Sequence, residues 1–174
     1  MDMRPRPRHA RRCASQIMGT EDALIRHNFV SGTHAITTAL FGVLRPGDRM
    51  VSLTGAPYDT LQPVIGVVPG GHGSLREFGI QYEQLDLCAD GTPDYKNVAK
   101  AIRGARAAYI QRSRGYTLRE SLHIDEISRL IDAVRAADPD TVVIVDNCYG
   151  EFVEKCEPTQ AGADLIVGSL IKNP

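Results

Sequence analysis

The sequence predicts an α/β protein built around a mostly parallel sheet, and three observations carry that expectation. From about Met18 onward, short apolar runs alternate with segments of helical period, the pattern of βα units. One run, Val142–Asp146, is a continuous β-branched stretch suited to a strand buried on both faces. The 16 glycines and 10 prolines fall between such runs as punctuation, too few and too scattered for a linker or collagen-like chain. With 43% hydrophobic and 24% charged residues in 174, one globular domain is expected.

Six strands are expected in order: Ala23–Val30, Met50–Leu53, Gln81–Leu87, Ala107–Gln111, Val142–Asp146 and Leu165–Gly168. Between the first two, Ile36, Ala39, Leu40, Val43 and Leu44 recur at helical spacing, and Pro46-Gly47 stops that helix. Leu61, Val64, Ile65 and Val68 have the same period, with Pro63 expected to weaken the first turn. Val68-Pro69-Gly70-Gly71-His72-Gly73 is expected to be a loop. A third stripe, Ile124, Ile127, Leu130, Ile131 and Val134, carries Asp125 and Glu126 early and Arg135 late, as the helix dipole favours, and Asp138-Pro139 marks its end.

Charge is uneven. Residues 1–16 carry five arginines against Asp2, a local +4 inside a formal net charge of −1. An Arg-rich start fits an organelle transit peptide or a nucleic-acid-binding arm, and equally an irregular start foreign to the rest of the fold. The longest apolar runs fall far short of the ~20 residues needed to cross a bilayer. His34, His72 and His123 match no metal spacing, so no metal site is expected. The four cysteines are too few and too dispersed for a disulfide scaffold, which suits a reducing, cytoplasmic setting.

In open parallel sheets, ligands bind beyond the carboxyl ends of the strands. Four places there have chemistry to offer. Ser31-Gly32-Thr33-His34 is a small-residue turn entering a helix, suited either to a phosphate or merely to a change of direction. Asp146 leaves the buried run, where a carboxylate must be solvated, capped or paired. Lys172, one of four lysines beside sixteen arginines, is an ordinary exposed lysine or, held among apolar neighbours, a nucleophilic amine. Tyr58 follows the second strand, where its ring either stacks on a planar ligand or packs at a rim.

The order of these features resembles the fold-type-I enzymes that use pyridoxal 5'-phosphate. Ser31-Gly32-Thr33-His34-Ala35 is similar to the phosphate loop of the Cys/Met-metabolism family, Val145-Asp146-Asn147 to its cofactor-nitrogen motif, and Ser169 with Lys172 to its Ser-x-x-Lys motif. The phrases FVSGTHAI, LFGVLRPGD, GAPYDTL, GSLREFGI, IQRSRGY and VDNCYGEFVE resemble the methionine gamma-lyase-like, or aluminium-resistance, branch, from about Gly19 to Pro174.

The resemblance implies a three-layer αβα fold, the large cofactor-binding domain of such an enzyme, incomplete and without the family's C-terminal small domain. It implies a pyridoxal-phosphate-dependent carbon–sulfur lyase, acting by beta- or gamma-elimination on a sulfur amino acid such as methionine, cysteine or cystathionine. Lys172 would hold the cofactor as an imine and then serve as base, and Asp146 would keep the ring nitrogen protonated. Ser31, Gly32, Thr33 and Ser169 would hold the phosphate, and Tyr58 would stack on the ring. Arg112, Ser113, Arg114 and Tyr116 would lie at the cofactor's edge. Ile171 departs from the hydroxyl residue that the better-studied lyases carry before the lysine. The implied assembly is a homodimer or homotetramer of full-length chains, with no nucleic acid or membrane partner, and this chain is expected to be inactive alone. A non-catalytic remnant or interaction module, and a nucleotide-binding α/β domain, are the competing expectations.

Overall fold

A computed structural model describes residues 7–68 and 72–172, with side chains from residue 9. Helix α1 (Pro7–Met18) leads to α2 (Gly32–Val43), β1 (Arg49–Ser52), α3 (Gln62–Ile65), β2 (Gln81–Gln84), α4 (Val98–Ala101), β3 (Ala107–Gln111), α5 (Ile124–Ala137), β4 (Val142–Asp146) and β5 (Leu165–Val167). The strands form one parallel sheet in the order β2-β1-β3-β4-β5.

Side chains alternate across a strand, so each central strand feeds two cores. Val51, Ala108, Ile110, Val143 and Val145 face α4 and α5, meeting Val98, Ile127, Leu130, Ile131 and Val134. Met50, Ala107, Tyr109 and Ile144 face the other way, toward Ile36 and Leu40 of α2 and Ile65 of α3. The result is three layers, helix on sheet on helix. Each fully buried aliphatic side chain contributes roughly 1.5–3 kcal/mol relative to exposure.

The helix ends follow local chemistry. The Ser31 hydroxyl caps α2 by accepting the His34 N–H at 3.1 Å. Glu126 reaches back to accept the His123 N–H at 2.9 Å, closing the first turn of α5. Pro63 falls in the first turn of α3, where its missing N–H costs nothing. That helix ends at Gly66, whose φ of +88° is left-handed.

The expected strand Ala23–Val30 does not form. A strand exists only by pairing, and this segment finds no ladder partner among the described residues. It turns instead, the Phe29 N–H donating to the Arg26 carbonyl at 3.2 Å. The third and sixth expected strands are shorter than expected, ending at Gln84 and Val167. Residues 7–16, within the expected irregular start, lie in α1, which the Thr159 hydroxyl ties to the body through the Met18 carbonyl. Residues 1–6 and the Pro69-Gly70-Gly71 part of the expected loop lie outside the described residues.

Candidate active site

Because all five strands are parallel, their carboxyl ends share one edge, and the loops leaving that edge converge. A cleft of about 310 Å³ opens there. Thr33 of α2, Tyr58 and Thr60 after β1, Ser113, Arg114 and Tyr116 after β3, Asp146 and Tyr149 at the end of β4, and Lys172 after β5 all line it.

Asp146 ends β4 opposite Gln111 of β3 and Val167 of β5. It lies on the same sheet face as Tyr109, whose hydroxyl donates to Oδ2 at 3.1 Å, while the Cys148 N–H donates to Oδ1 at 3.1 Å. Burial pushes the carboxyl pKa up, against the Cys148 and Tyr109 hydrogen bonds and the Lys172 charge, which pull it down. Desolvation also raises the neighbouring Tyr109 hydroxyl and Cys148 thiol, so the carboxyl is the one acid of this group suited to ionise.

The first turn of α2 stands beside this group. The His34 N–H is satisfied by the Ser31 hydroxyl and the Ala35 N–H by the Ser31 carbonyl at 3.1 Å. That leaves the N–H groups of Gly32 and Thr33 without intrahelical partners, at the positive end of the helix dipole. A Cβ on Gly32 would lie 3.1 Å from the Cys148 sulfur and 3.7 Å from Cβ of Ser169, so glycine lets the helix start close against the β4 and β5 exits.

Lys172 is exposed, and its N–H turns back to the Ser169 carbonyl at 2.9 Å. Its Nζ sits 4.5 Å from the centroid of the Tyr149 ring, which a left-handed backbone (φ 70°) presents to it. The nearby ring is therefore the lysine's neighbour, rather than an enclosing apolar pocket. Tyr58 is positioned by its N–H donating to Oε1 of Gln111 at 2.7 Å, and its hydroxyl donates to that of Tyr116 at 2.9 Å. The hydrogen bond to Tyr116 is the main cause raising the Tyr58 pKa to about 12.

The structure thus brings Thr33, Tyr58, Asp146 and Lys172 into one cleft, with Ser31, Gly32 and Ser169 beside its wall rather than on it. Ile171 points to solvent. The loop arginines divide by role. Arg112 is buried and donates to the Leu122 carbonyl, to Oδ1 of Asn147 and the Gly150 carbonyl at 2.9 Å each, and to Glu154 at 2.5 Å. Arg119, which the sequence reading passed over, binds the Gln111, Ser113 and Glu120 carbonyls. Both are staples for the β3 exit loop. Tyr109, Gln111 and Cys148 were also missed. The available signal was parity: a buried tyrosine on the face that Asp146 shares needs a partner for its hydroxyl.

Taken together, the donors suit a planar group with a protonated ring nitrogen at one end and a phosphate at the other. Asp146 is a buried carboxylate with no cation at ion-pair distance among the described residues, and α2 offers two amides to an anion. The fold is that of the layered, parallel-sheet domain of the fold-type-I pyridoxal-phosphate enzymes.

Within that class, the methionine gamma-lyase family profile matches residues 9–174, and the chain belongs to that family. It is 51% identical over 162 residues to the uncharacterised protein YnbB of Bacillus subtilis, covering 92% of this chain and 38% of that one. A suggested cystathionine beta-lyase involved in aluminium resistance from Listeria monocytogenes superposes with a TM-score of 0.93 at 46% identity, over 97% of this chain and 43% of the other. A carbon–sulfur lyase involved in aluminium resistance from Clostridium novyi NT gives 0.86 at 48% identity, over 91% and 38%. The chain therefore spans about two-fifths of the length of these relatives.

Proposed function

We propose that this chain is the cofactor-binding part of a pyridoxal-phosphate-dependent carbon–sulfur lyase, which eliminates a thiol or sulfide from a sulfur amino acid such as methionine, cysteine or cystathionine. The observation that carries this reading is one cleft holding a buried strand-end carboxylate and a lysine beside a helix start with two uncommitted amides. Pyridoxal phosphate, when bound, supplies an electron sink for negative charge developing at the substrate's α-carbon.

This chain's residues supply the rest. Asp146 holds a proton on the ring nitrogen by charge pairing, which also relieves the cost of its own burial. The Gly32 and Thr33 amides, with the Ser31 and Ser169 hydroxyls, bind the phosphate, and Tyr58 covers the ring. Lys172 provides the amine that tethers the cofactor and, once released, the Nζ that accepts the α-proton. A nucleotide-binding reading would use the same helix start but leaves the Asp146 carboxylate without a purpose. A full-length homodimer or homotetramer and a cytoplasmic setting belong to the same proposal.

The test is direct. Adding pyridoxal phosphate to the chain is expected to produce a visible absorption band that borohydride fixes onto Lys172, identifiable by peptide mass. Lys172→Ala abolishes both signals. No band at saturating cofactor would count against the proposal.

A further inference from the structure

The turn that leaves β4 carries a buried carboxyl group that the proposed chemistry does not use. Glu151 is 2% exposed, and its Oε1 accepts the N–H of Ser169, the residue that opens the turn to Lys172 after β5. That turn closes on itself, the Lys172 N–H donating to the Ser169 carbonyl at 2.9 Å. Glu151 thus holds Ser169 directly and the lysine backbone through one further hydrogen bond. The contact is close: a Cβ on Gly168 would lie 2.5 Å from Oε1, so glycine lets the β5 exit seat against the carboxyl.

The backbone around Glu151 is bent for this reach. Tyr149 and Phe152, at φ 70° and 62°, are the non-glycine residues in the left-handed region among those described, and they bracket Gly150 and Glu151. Such conformations cost energy and persist only where the surrounding structure imposes them. Here the exit of β4 makes two successive turns, the Gly150 N–H donating to the Asn147 carbonyl at 2.7 Å and the Val153 N–H to the Gly150 carbonyl at 3.3 Å. The same bend places the Tyr149 ring 4.5 Å from the Lys172 Nζ, so the β4 exit meets the lysine segment at both backbone and amine. The neighbouring glutamates serve other contacts. Glu154 accepts from Arg112 and the Ile124 N–H, and Glu157 from Asn147 and the Phe152 N–H.

From this arrangement we infer that Glu151 is a positioning residue for Lys172, fixing the Ser169–Lys172 turn so that the tethering amine is held in the cleft. The inference rests on the proposed cofactor site and deepens it. An exposed lysine on an untied turn samples many directions, and a reacting group gains by being held in one.

The experiment compares two probes by equilibrium dialysis. Pyridoxal phosphate carries an aldehyde that condenses with the Lys172 amine with loss of water, whereas pyridoxamine phosphate carries an amine there and cannot. Both share ring and phosphate, so the ratio of their dissociation constants reads the effective concentration of the Lys172 amine, and a merely structural loss moves both alike. Glu151→Ala is expected to weaken pyridoxal phosphate about tenfold more than pyridoxamine phosphate, inside the roughly hundredfold that misplacing a reacting group by 1 Å can cost. Glu151→Gln keeps the length and an acceptor oxygen, and retains most of the ratio. Gly168→Ala reaches the contact from the other side, its Cβ pushing the carboxyl off the Ser169 N–H, and is expected to lower the ratio too. It decides the matter if Glu151→Ala fails to fold. In a Lys172→Ala background, Glu151→Ala is expected to leave the ratio unchanged, and a change there would overturn the inference. Equal weakening of both probes in the Lys172 chain, or of neither, would also overturn it. Failure of the unaltered chain to bind either probe would overturn the proposed function, and this inference with it.

Discussion

Asp146 shows how a single residue's environment serves the proposed chemistry. Its carboxyl is buried, receives hydrogen bonds from Tyr109 and Cys148, and has its pKa raised, chiefly by desolvation. The folded chain therefore keeps this proton at pH values where the unfolded chain has lost it. Stability from the group is full below the unfolded-state pKa and is lost as pH rises through the folded-state pKa. Asp146→Asn is expected to gain thermal stability over the unaltered chain as pH rises from that acidic window to neutrality, while losing cofactor affinity. Melting curves at acid and neutral pH check the first outcome, and a variant that loses stability on going to neutral pH would contradict it. Arg112 is the opposite case, a charge fully engaged. Arg112→Ala strands Asn147, two backbone carbonyls and Glu154, and should cost about 3 kcal/mol in denaturant unfolding, the scale for breaking a buried ion pair.

At the scale of elements, the site depends on how α2 and α3 begin and end. Ser31→Ala removes the cap from α2 and should lower stability by about 1 kcal/mol. It should also loosen the two amides assigned to the phosphate, so a parallel loss of cofactor affinity is expected. Gly66 closes α3 in a left-handed conformation, and a Cβ there would lie 2.7 Å from the Ser74 hydroxyl. Gly66→Ala should cost at least about 1–2 kcal/mol from backbone strain alone, read as a lowered denaturation midpoint. A neutral outcome would contradict that expectation.

At the scale of the whole molecule, the sheet carries its cleft at one end and, among the described residues, an unpaired strand at each side. β5 pairs only with β4 among the described residues, so its outer edge presents unpaired backbone groups. Val30 (81% exposed) and Ile171 (91%) are large apolar side chains on the surface, as are Leu24 and Leu118. Such a surface favours self-association, so sedimentation velocity should show apparent mass rising with concentration.

The sequence by itself determined the layered α/β class, because alternating periods of two and 3.6 residues can bury their apolar faces only as helices on a sheet. It also picked out Tyr58, Asp146 and Lys172 from the exits of β1, β4 and β5, and Thr33 from the small-residue start of α2. Tertiary structure alone decided that Ala23–Val30 is no strand, because a strand is made by its partner and none is at hand among the described residues. It alone separated the arginines of one short loop into two staples, Arg112 and Arg119, and one, Arg114, exposed on the cleft. Sequence gives each the same charge and the same reach. Which guanidinium meets carbonyls and which meets solvent depends on where the β4 exit and Leu122 lie in space, and no local pattern encodes that.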